Sequence, residues 1–518
     1  MKSALPILTS IRSDWNEIAE APVLGKDVLE LLSSSMYVNP LSVFREYIQN
    51  ATDSIEEAVG IGHLRNASEG KIEVLIDVQG RRIRIRDNGT GIPHAEFVRR
   101  LIALGASRKR GRKARGFRGV GRLSGLGYCQ ELVFRSRVEG ERQISELRWD
   151  CKKLKAILRD AQFSDQLGDV VGQIVRTKRT VDLSAPDRFF EVELNGVVRH
   201  GTDLLMNASV VSAYLSQIAP VPFSASFGHR EVIEQALSKF VSLGNVLIFV
   251  NEAHDPLYRP HRDTFAARKG LTDELTRVET FELLGNNGAV AAVGWVCHHG
   301  YKGAISKDAK IAGLRLRCGN IQVGEDDLLD GLFQEPRFNA WSVGEIHVLD
   351  ERILPNGRRD HFEPNVHFND LLNQLTPHAH ELGRLCRLSS IERNAIREYE
   401  IKRSVLENNL SIAIQGAVSK AVRRKLEEDV RSDFAHLKRV ASGRLRESPI
   451  APKLSKQIEL LEKEIKKVFH HSNDISKLRS KSAKERKLYE HIFGLIYECS
   501  NDGASAKALI DRVLAKLE

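Results

Sequence analysis

The stretch PLSVFREYIQNATDSIEEA, running from Pro40 to Ala58, decides how the rest of the chain is read. Leu41, Phe44, Ile48, Ala51, Ile55 and Ala58 recur at steps of three and four, so at about 100° per residue they fall on one stripe of a helix. Glu46, Asn50 and Asp53 step by four and three and form a second stripe roughly opposite the first. Asn39 followed by Pro40 predicts a cap and a first-turn proline, which sets where the helix starts. A helix that packs one side on a sheet and carries a Glu/Asn/Asp line on the other can hold a divalent cation and a water. Taken alone, the same pattern also suits an ordinary amphipathic surface helix, the commoner case.

Residues downstream of this helix narrow the choice. Residues 71–78 and 82–86 alternate apolar and polar side chains and predict two strands of a hairpin around Gly80. The second strand runs into Asp87-Asn88-Gly89-Thr90-Gly91. A carboxylate followed by two glycines lets backbone approach a flat ring while Asp87 accepts a hydrogen bond from an exocyclic amine. Further on, Gly116, Gly119, Val120, Gly121 and Ser124 lie in GFRGVGRLS, with glycines spaced so that backbone amides can wrap phosphate oxygens.

Three segments now resemble one family. Glu46 to Asp53 as E-x-x-x-N-A-x-D, Asp87 to Gly91 as D-N-G-x-G, and Gly116 to Ser124 as G-x-x-G-V-G-x-x-S are similar to the ATP-site boxes of the GHKL ATPases. That superfamily includes gyrase, the 90-kDa heat-shock chaperones, MutL, MORC proteins and the histidine kinases. The resemblance implies an α+β protein. Its parts would be a Bergerat-fold α/β sandwich over residues 1–185, a transducer-like α/β domain over 186–377, and an all-helical region over 378–518 for dimerisation or partner binding. It also implies ATP and Mg²⁺ as cofactors. Glu46 would then activate the attacking water, Asn50 would hold Mg²⁺, and Asp87 would bind the adenine amine, with Asp53 supporting the adenine side. Gly89, Gly91 and Gly121 would border the nucleotide. Gly105-Ala-Ser-Arg-Lys109 looks like the start of the family's ATP lid, bringing Ser107 and Lys109 into the cofactor set; a solvated charge run is the alternative for the basic residues up to Arg115. Residues 170–177 predict a strand near where the family often has a Gly-Thr pair, but this chain has Gly172-Gln173 there.

The transducer-like region would supply one basic residue to the γ-phosphate. Leu354-Pro-Asn-Gly-Arg358-Arg359 resembles the chaperone segment in which a Leu-Pro turn precedes such an arginine, which points to Arg358 or Arg359, then to Lys302. All three on a basic surface is the plain alternative. Further strands are predicted at 131–137, 189–194, 245–250, 313–323 and 344–349, and helices at 210–218 and 232–241.

Composition bounds the rest. The 518 residues suggest about three domains. A net charge of +10 allows an anionic partner without naming one. Six scattered cysteines without a C-x-x-C pair suit reduced thiols, and Cys297-His298-His299 lacks a second ligand pair for a metal site. No run reaches the roughly 18 apolar residues of a membrane span, and the first residues hold too short an apolar run for a signal peptide, so a cytoplasmic protein is expected.

In the last region Leu454, Ile458, Leu461, Ile465 and Val468 make about two heptads, short of a coiled coil, while Lys466 and Lys467 beside His470 and His471 suit a solvated face or nucleic acid. The functional expectation is a slowly hydrolysing ATPase whose client the residues do not name. It would be a homodimeric switch that clamps a protein or nucleic acid, or else an ATPase subunit of a DNA-processing or phage-defence complex resembling the B subunit of topoisomerase VI.

Overall fold

The computed structural model describes residues 25–26, 29, 39–104, 121–160, 166–241, 243, 246–267, 270–416, 418, 420–470, 478, 481–500 and 502–516. Ser107, Lys109, Gly116, Gly119 and Val120 lie outside the described residues. The chain divides into two compact units: residues 1–300 with 304–380, and residues 301–303 with 381–518.

In the first unit, helix α1 spans Ser42–Gly60. Asn39 Oδ1 accepts the Leu41 N–H at 3.0 Å just before it. Strands β1 (Lys71–Asp77) and β2 (Arg82–Asp87) form the expected hairpin. Ile72, Val74, Ile76, Ile83 and Ile85 point inward because side chains alternate across a strand. Helix α2 (His94–Ile102), strands β3 (Glu131–Arg137) and β4 (Ile144–Asp150) and helix α3 (Cys151–Arg159) come next.

Residues 170–177, expected as one strand, divide instead between helix α4 (Leu167–Ile174) and strand β5 (Val175–Thr180). Val170 and Ile174 are four apart and both buried, so the short apolar run has helical spacing as well, an ambiguity that period alone does not break. Gly172 and Gln173 fall in that helix. Strand β6 (Phe189–Asn195), helix α5 (Ala208–Ile218) and strand β7 (Leu247–Val250) complete the layer, while helix α6 (Arg230–Leu237) packs its Ile233 and Leu237 in a separate core with Val293 and Trp295.

The seven strands hydrogen-bond in the order β5-β4-β3-β6-β2-β1-β7. Both β6 and β7 lie past residue 185, the expected end of the first domain, yet β6 sits between β3 and β2 and β7 pairs parallel with β1. The boundary expected after residue 185 therefore falls just before the sheet's own next strand. Apolar residues of α1 (Phe44, Ile48, Ile55) pack with those of the sheet (Ile72, Ile85, Leu132, Leu194) in one core.

A two-stranded piece, β8 (Thr264–Ala266) with β9 (Thr272–Glu274), leads to the second sheet. Its strands are β10 (Arg277–Leu284), β11 (Val290–His298), β12 (Gly313–Cys318), β13 (Ile321–Val323) and β14 (Val343–Val348), in the order β10-β11-β14-β12-β13. Helix α7 (Val366–Gln415) begins before the expected helical boundary at 378 and runs through Pro377.

The second unit contains the remainder of α7 with α8 (Lys420–Ser442), α9 (Ala451–His470), α10 (Ala483–Cys499) and α11 (Gly503–Ala515). Leu454, Leu461 and Ile465 of α9 pack with Val430, Leu437 and Val440 of α8 and with Leu406 of α7. The heptad-like stripe of α9 is thus covered within the unit. Among the described residues no helix is long and apolar enough to cross a membrane.

Candidate nucleotide site

Helix α1 is buried on more than its apolar stripe. Arg45, Glu46, Gln49, Thr52 and Asp53 are buried as well, and Asn50 is half-buried. The face expected to carry only a Glu/Asn/Asp line is covered by two chain segments, each held to it by a neighbour of Glu46.

Tyr47 holds the first. Its hydroxyl accepts the Gly125 N–H at 3.0 Å and donates to the Arg122 carbonyl at 3.1 Å. It thereby ties the 3₁₀ segment Gly121–Gly127 to α1. Burial pushes the Tyr47 phenol well above its ordinary range, so it stays a neutral donor. A Cβ on Gly121 would collide with Glu46 Oε2 and one on Gly125 with the Tyr47 hydroxyl, so a side chain at either position would have to displace its neighbour. Ser124 is fully buried in the same segment.

Arg45 holds the second. Its Nη2 and Nη1 donate to the carbonyls of Arg358 (2.7 Å) and Arg359 (3.2 Å). The Arg359 carbonyl also accepts the Gly324 N–H at 2.9 Å. Arg359 occupies the left-handed region at φ +56°, uncommon for a residue with a side chain. Its guanidinium is buried, with Nε 3.4 Å from Glu46 Oε1. Arg358, one residue earlier, is exposed. Tyr214 of α5 lies near Arg45 and Glu46, and burial pushes its hydroxyl up to about 12. Lys302 belongs to the second unit, where Arg393 donates to the Tyr301 carbonyl at 2.6 Å.

The Asp87–Gly91 turn docks on the other end of α1. Asp87 is buried at the end of β2, and its Oδ1 accepts the Gly89 N–H at 2.9 Å. The Thr90 N–H reaches Ser54 Oγ at 3.0 Å. A Cβ on Gly89 would meet Ser54, and Gly91 takes φ +69° against the Arg137 carbonyl. Asn88 braces the turn from outside, accepting from the Lys71 N–H at 2.7 Å and donating to the Glu69 carbonyl at 2.9 Å.

Glu46, Asn50 and Asp53 thus lie on α1, Gly121 and Arg359 meet Glu46, Gly89 meets Ser54, and Asp87, Gly91 and Ser124 lie in the segments that carry these contacts. A family model described as "Histidine kinase-, DNA gyrase B-, and HSP90-like ATPase" matches residues 38–166. The chain carries a GHKL-type ATPase domain.

The chain also resembles curated relatives. It is 33% identical over 89 residues to the chaperone protein HtpG of Mycolicibacterium gilvum (strain PYR-GCK), a match covering 16% of this chain and 14% of that one. It is 30% identical over 139 residues to HtpG of Polaromonas naphthalenivorans (strain CJ2), covering 24% and 22%, and 32% identical over 88 residues to HtpG of Rhodococcus jostii (strain RHA1), covering 16% and 14%. The matches thus span less than a quarter of the relatives' length.

The residues present fit a magnesium nucleotide. Apart from its 3.4 Å ion pair with Arg359 Nε, Glu46 Oε1 is buried without a hydrogen-bond partner among the described residues, so the carboxylate keeps acceptor capacity for a water or ligand. Arg45 and Tyr47 were not singled out by sequence. Their signal was available: both lie off the apolar stripe of α1, directly flanking Glu46, and an arginine and a tyrosine there must find partners if that face is covered. The Cys297-His298-His299 run holds no metal cluster among the described residues; Cys297 is buried in β11, His298 meets Glu279 at 3.0 Å and His299 meets Asp273 at 2.8 Å.

Proposed function

We propose that the chain binds and slowly hydrolyses ATP with Mg²⁺, using the nucleotide state as a conformational switch. The observation that carries this reading is the approach of Arg359 to Glu46, which joins a carboxylate on α1 to a cation from a segment more than 300 residues away in sequence. Functionally we divide the chain into an ATP-binding part, a transducer-like part that carries Arg359, and a helical part.

In this reading Asp87 accepts a hydrogen bond from the adenine amine, with Asp53 supporting that side of the pocket. Gly89 and Gly91 allow close approach of backbone to the base. Asn50 supplies an oxygen ligand for Mg²⁺, suited to a hard cation; when bound, the ion neutralises phosphate charge. Gly121 presents backbone to the phosphates, together with the Gly116, Gly119, Ser107 and Lys109 segment. Glu46 orients and deprotonates the attacking water. Arg359 exchanges part of its interaction with Glu46 for the γ-phosphate and neutralises charge as transfer proceeds. The same proposal includes a cytoplasmic homodimer whose paired ATP parts close on a protein or nucleic-acid client.

The test separates binding from chemistry. Glu46→Ala is expected to retain ATP binding by calorimetry and to lose hydrolysis by at least about a hundredfold, while Asp87→Ala loses binding itself. Wild-type turnover in purified Glu46→Ala protein would overturn the assignment of the base, and absence of heat on mixing the wild-type chain with ATP and Mg²⁺ would overturn the whole reading.

A further inference from the structure

The positive charge of the chain is concentrated at one end. Residues 381–518 contain 29 Lys and Arg against 20 Asp and Glu, so they hold nine of the ten net positive charges in little more than a quarter of the length. Elsewhere in the helical unit many basic side chains are already paired: Arg431 with Glu427, Lys438 with Glu462, Arg444 with Glu398, Lys402 with Asp433.

Helix α9 carries a further row of basic side chains. Leu454, Leu461 and Ile465 form its buried side. On the side away from them Lys453, Lys456, Lys463 and Lys467 are all exposed, and at 100° per residue they share an arc of about 80°. At 1.5 Å per residue the row is about 21 Å long. Lys453, Lys456 and Lys463 make no ion pair among the described residues. The acids of α9 do not cancel the row: Glu462 is taken by Lys438 (3.0 Å) and Lys466 (3.2 Å), and Glu459 and Glu464 only flank it.

We propose that this lysine face of α9 binds nucleic acid by tracking the phosphates of a duplex. A rigid row of about 21 Å matches roughly six base-pair steps at 3.4 Å. The apolar side of α9 is occupied within the helical unit, and Leu460 is a single exposed leucine among the lysines, so the helix has no greasy face to lay into a lipid surface. The aromatic residue nearest the end of the row, Phe469, is half-buried under the Arg423 guanidinium, so it is not presented as a stacking platform of the kind that single strands use. Lysines meet phosphates as point charges, so the contact is independent of sequence. The lysine face lies outside the residues assigned to ATP, so it stands independently of the nucleotide reading.

The experiment uses the full chain and a fluorescent 30-base-pair duplex of arbitrary sequence, followed by anisotropy over a series of KCl concentrations without nucleotide. The wild type is expected to bind at 50 mM KCl. The triple variant Lys453→Ala, Lys456→Ala, Lys463→Ala is expected to bind at least about tenfold more weakly, with the slope of log K against log salt shallower by about 2.7 for three lost phosphate contacts. The matching Lys→Arg triple variant should retain the wild-type slope. A circular dichroism melt that is the same for all three proteins establishes that folding is not the cause. The proposal is overturned if the wild type fails to bind the duplex at 50 mM KCl, or if the alanine triple keeps the wild-type slope. It is also overturned if anionic phosphatidylserine vesicles or polyglutamate bind through these lysines while the duplex does not.

Discussion

Two adjacent arginines illustrate how much the role of a single side chain is set by the backbone beneath it. Arg358 and Arg359 both lend their carbonyls to Arg45, but only Arg359, at φ +56°, turns its guanidinium to Glu46. Its exposed neighbour points elsewhere. On the proposed mechanism Arg359→Ala should lower kcat for ATP by about a hundredfold or more while KM changes only a few-fold, since a charge-neutralising arginine acts mainly in the transition state. Arg358→Ala should remain close to wild type. Steady-state ATPase assays on the pair check this, and equal loss in both variants would remove the distinction.

At the scale of elements, the Gly121–Gly127 segment is tied to α1 by the Tyr47 phenol. Replacing Tyr47 by Phe keeps the ring packed but leaves the Gly125 N–H and the Arg122 carbonyl without their partner, at about 1–3 kcal/mol for a buried unsatisfied group. The expected consequence is a higher KM for ATP with a smaller change in kcat, because the segment proposed to meet the phosphates is loosened while Glu46 itself is intact. Gly121→Ala tests the same contact from the other side. A Cβ there runs into Glu46, so ATP turnover should fall at least about tenfold, whereas Gly168→Ala, where a Cβ meets nothing within 4 Å, should leave turnover unchanged.

For the whole molecule, the second sheet carries a buried charge network that links stability to pH. Glu345 lies between Arg259 and Arg317, the latter 2.7 Å away. Burial works to raise its carboxyl, yet these two cations hold it well below the usual range. Burial pushes His261 down to about 3 and lowers His347 too. Both histidines are therefore neutral in the folded chain and become protonated in the unfolded chain as pH drops below about 6.5. Their contribution to stability is complete above that value and declines as pH falls toward the folded value, by up to about 1.4 kcal/mol per pH unit for each group. The Glu345 contribution has the same sign but begins only below its ordinary value of 4.5. Urea midpoints followed by tryptophan fluorescence should thus fall between pH 7 and pH 5, and His261→Phe, which preserves the aromatic contacts to Phe223 and Trp295, should flatten that fall.

Local pattern by itself determined helix α1, the β1–β2 hairpin, the span of β3 and the succession of a carboxylate helix, an Asp-Gly turn and a glycine segment. These features are legible because burial leaves a period of 3.6 or 2 along the chain and because turns that approach other backbone require glycine. Period does not record what covers a face. The polar side of α1 therefore read as a solvent or ligand face, whereas Arg45 and Tyr47 fasten it beneath the 358–359 turn and the Gly121–Gly127 segment. Residues 170–177 failed for the related reason that Val170 and Ile174 satisfy either period over so short a run. Sheet membership of β6 and β7, the choice between Arg358 and Arg359, and the burial of Glu345 among arginines were decided only by tertiary structure, since each depends on segments far apart in sequence meeting in space.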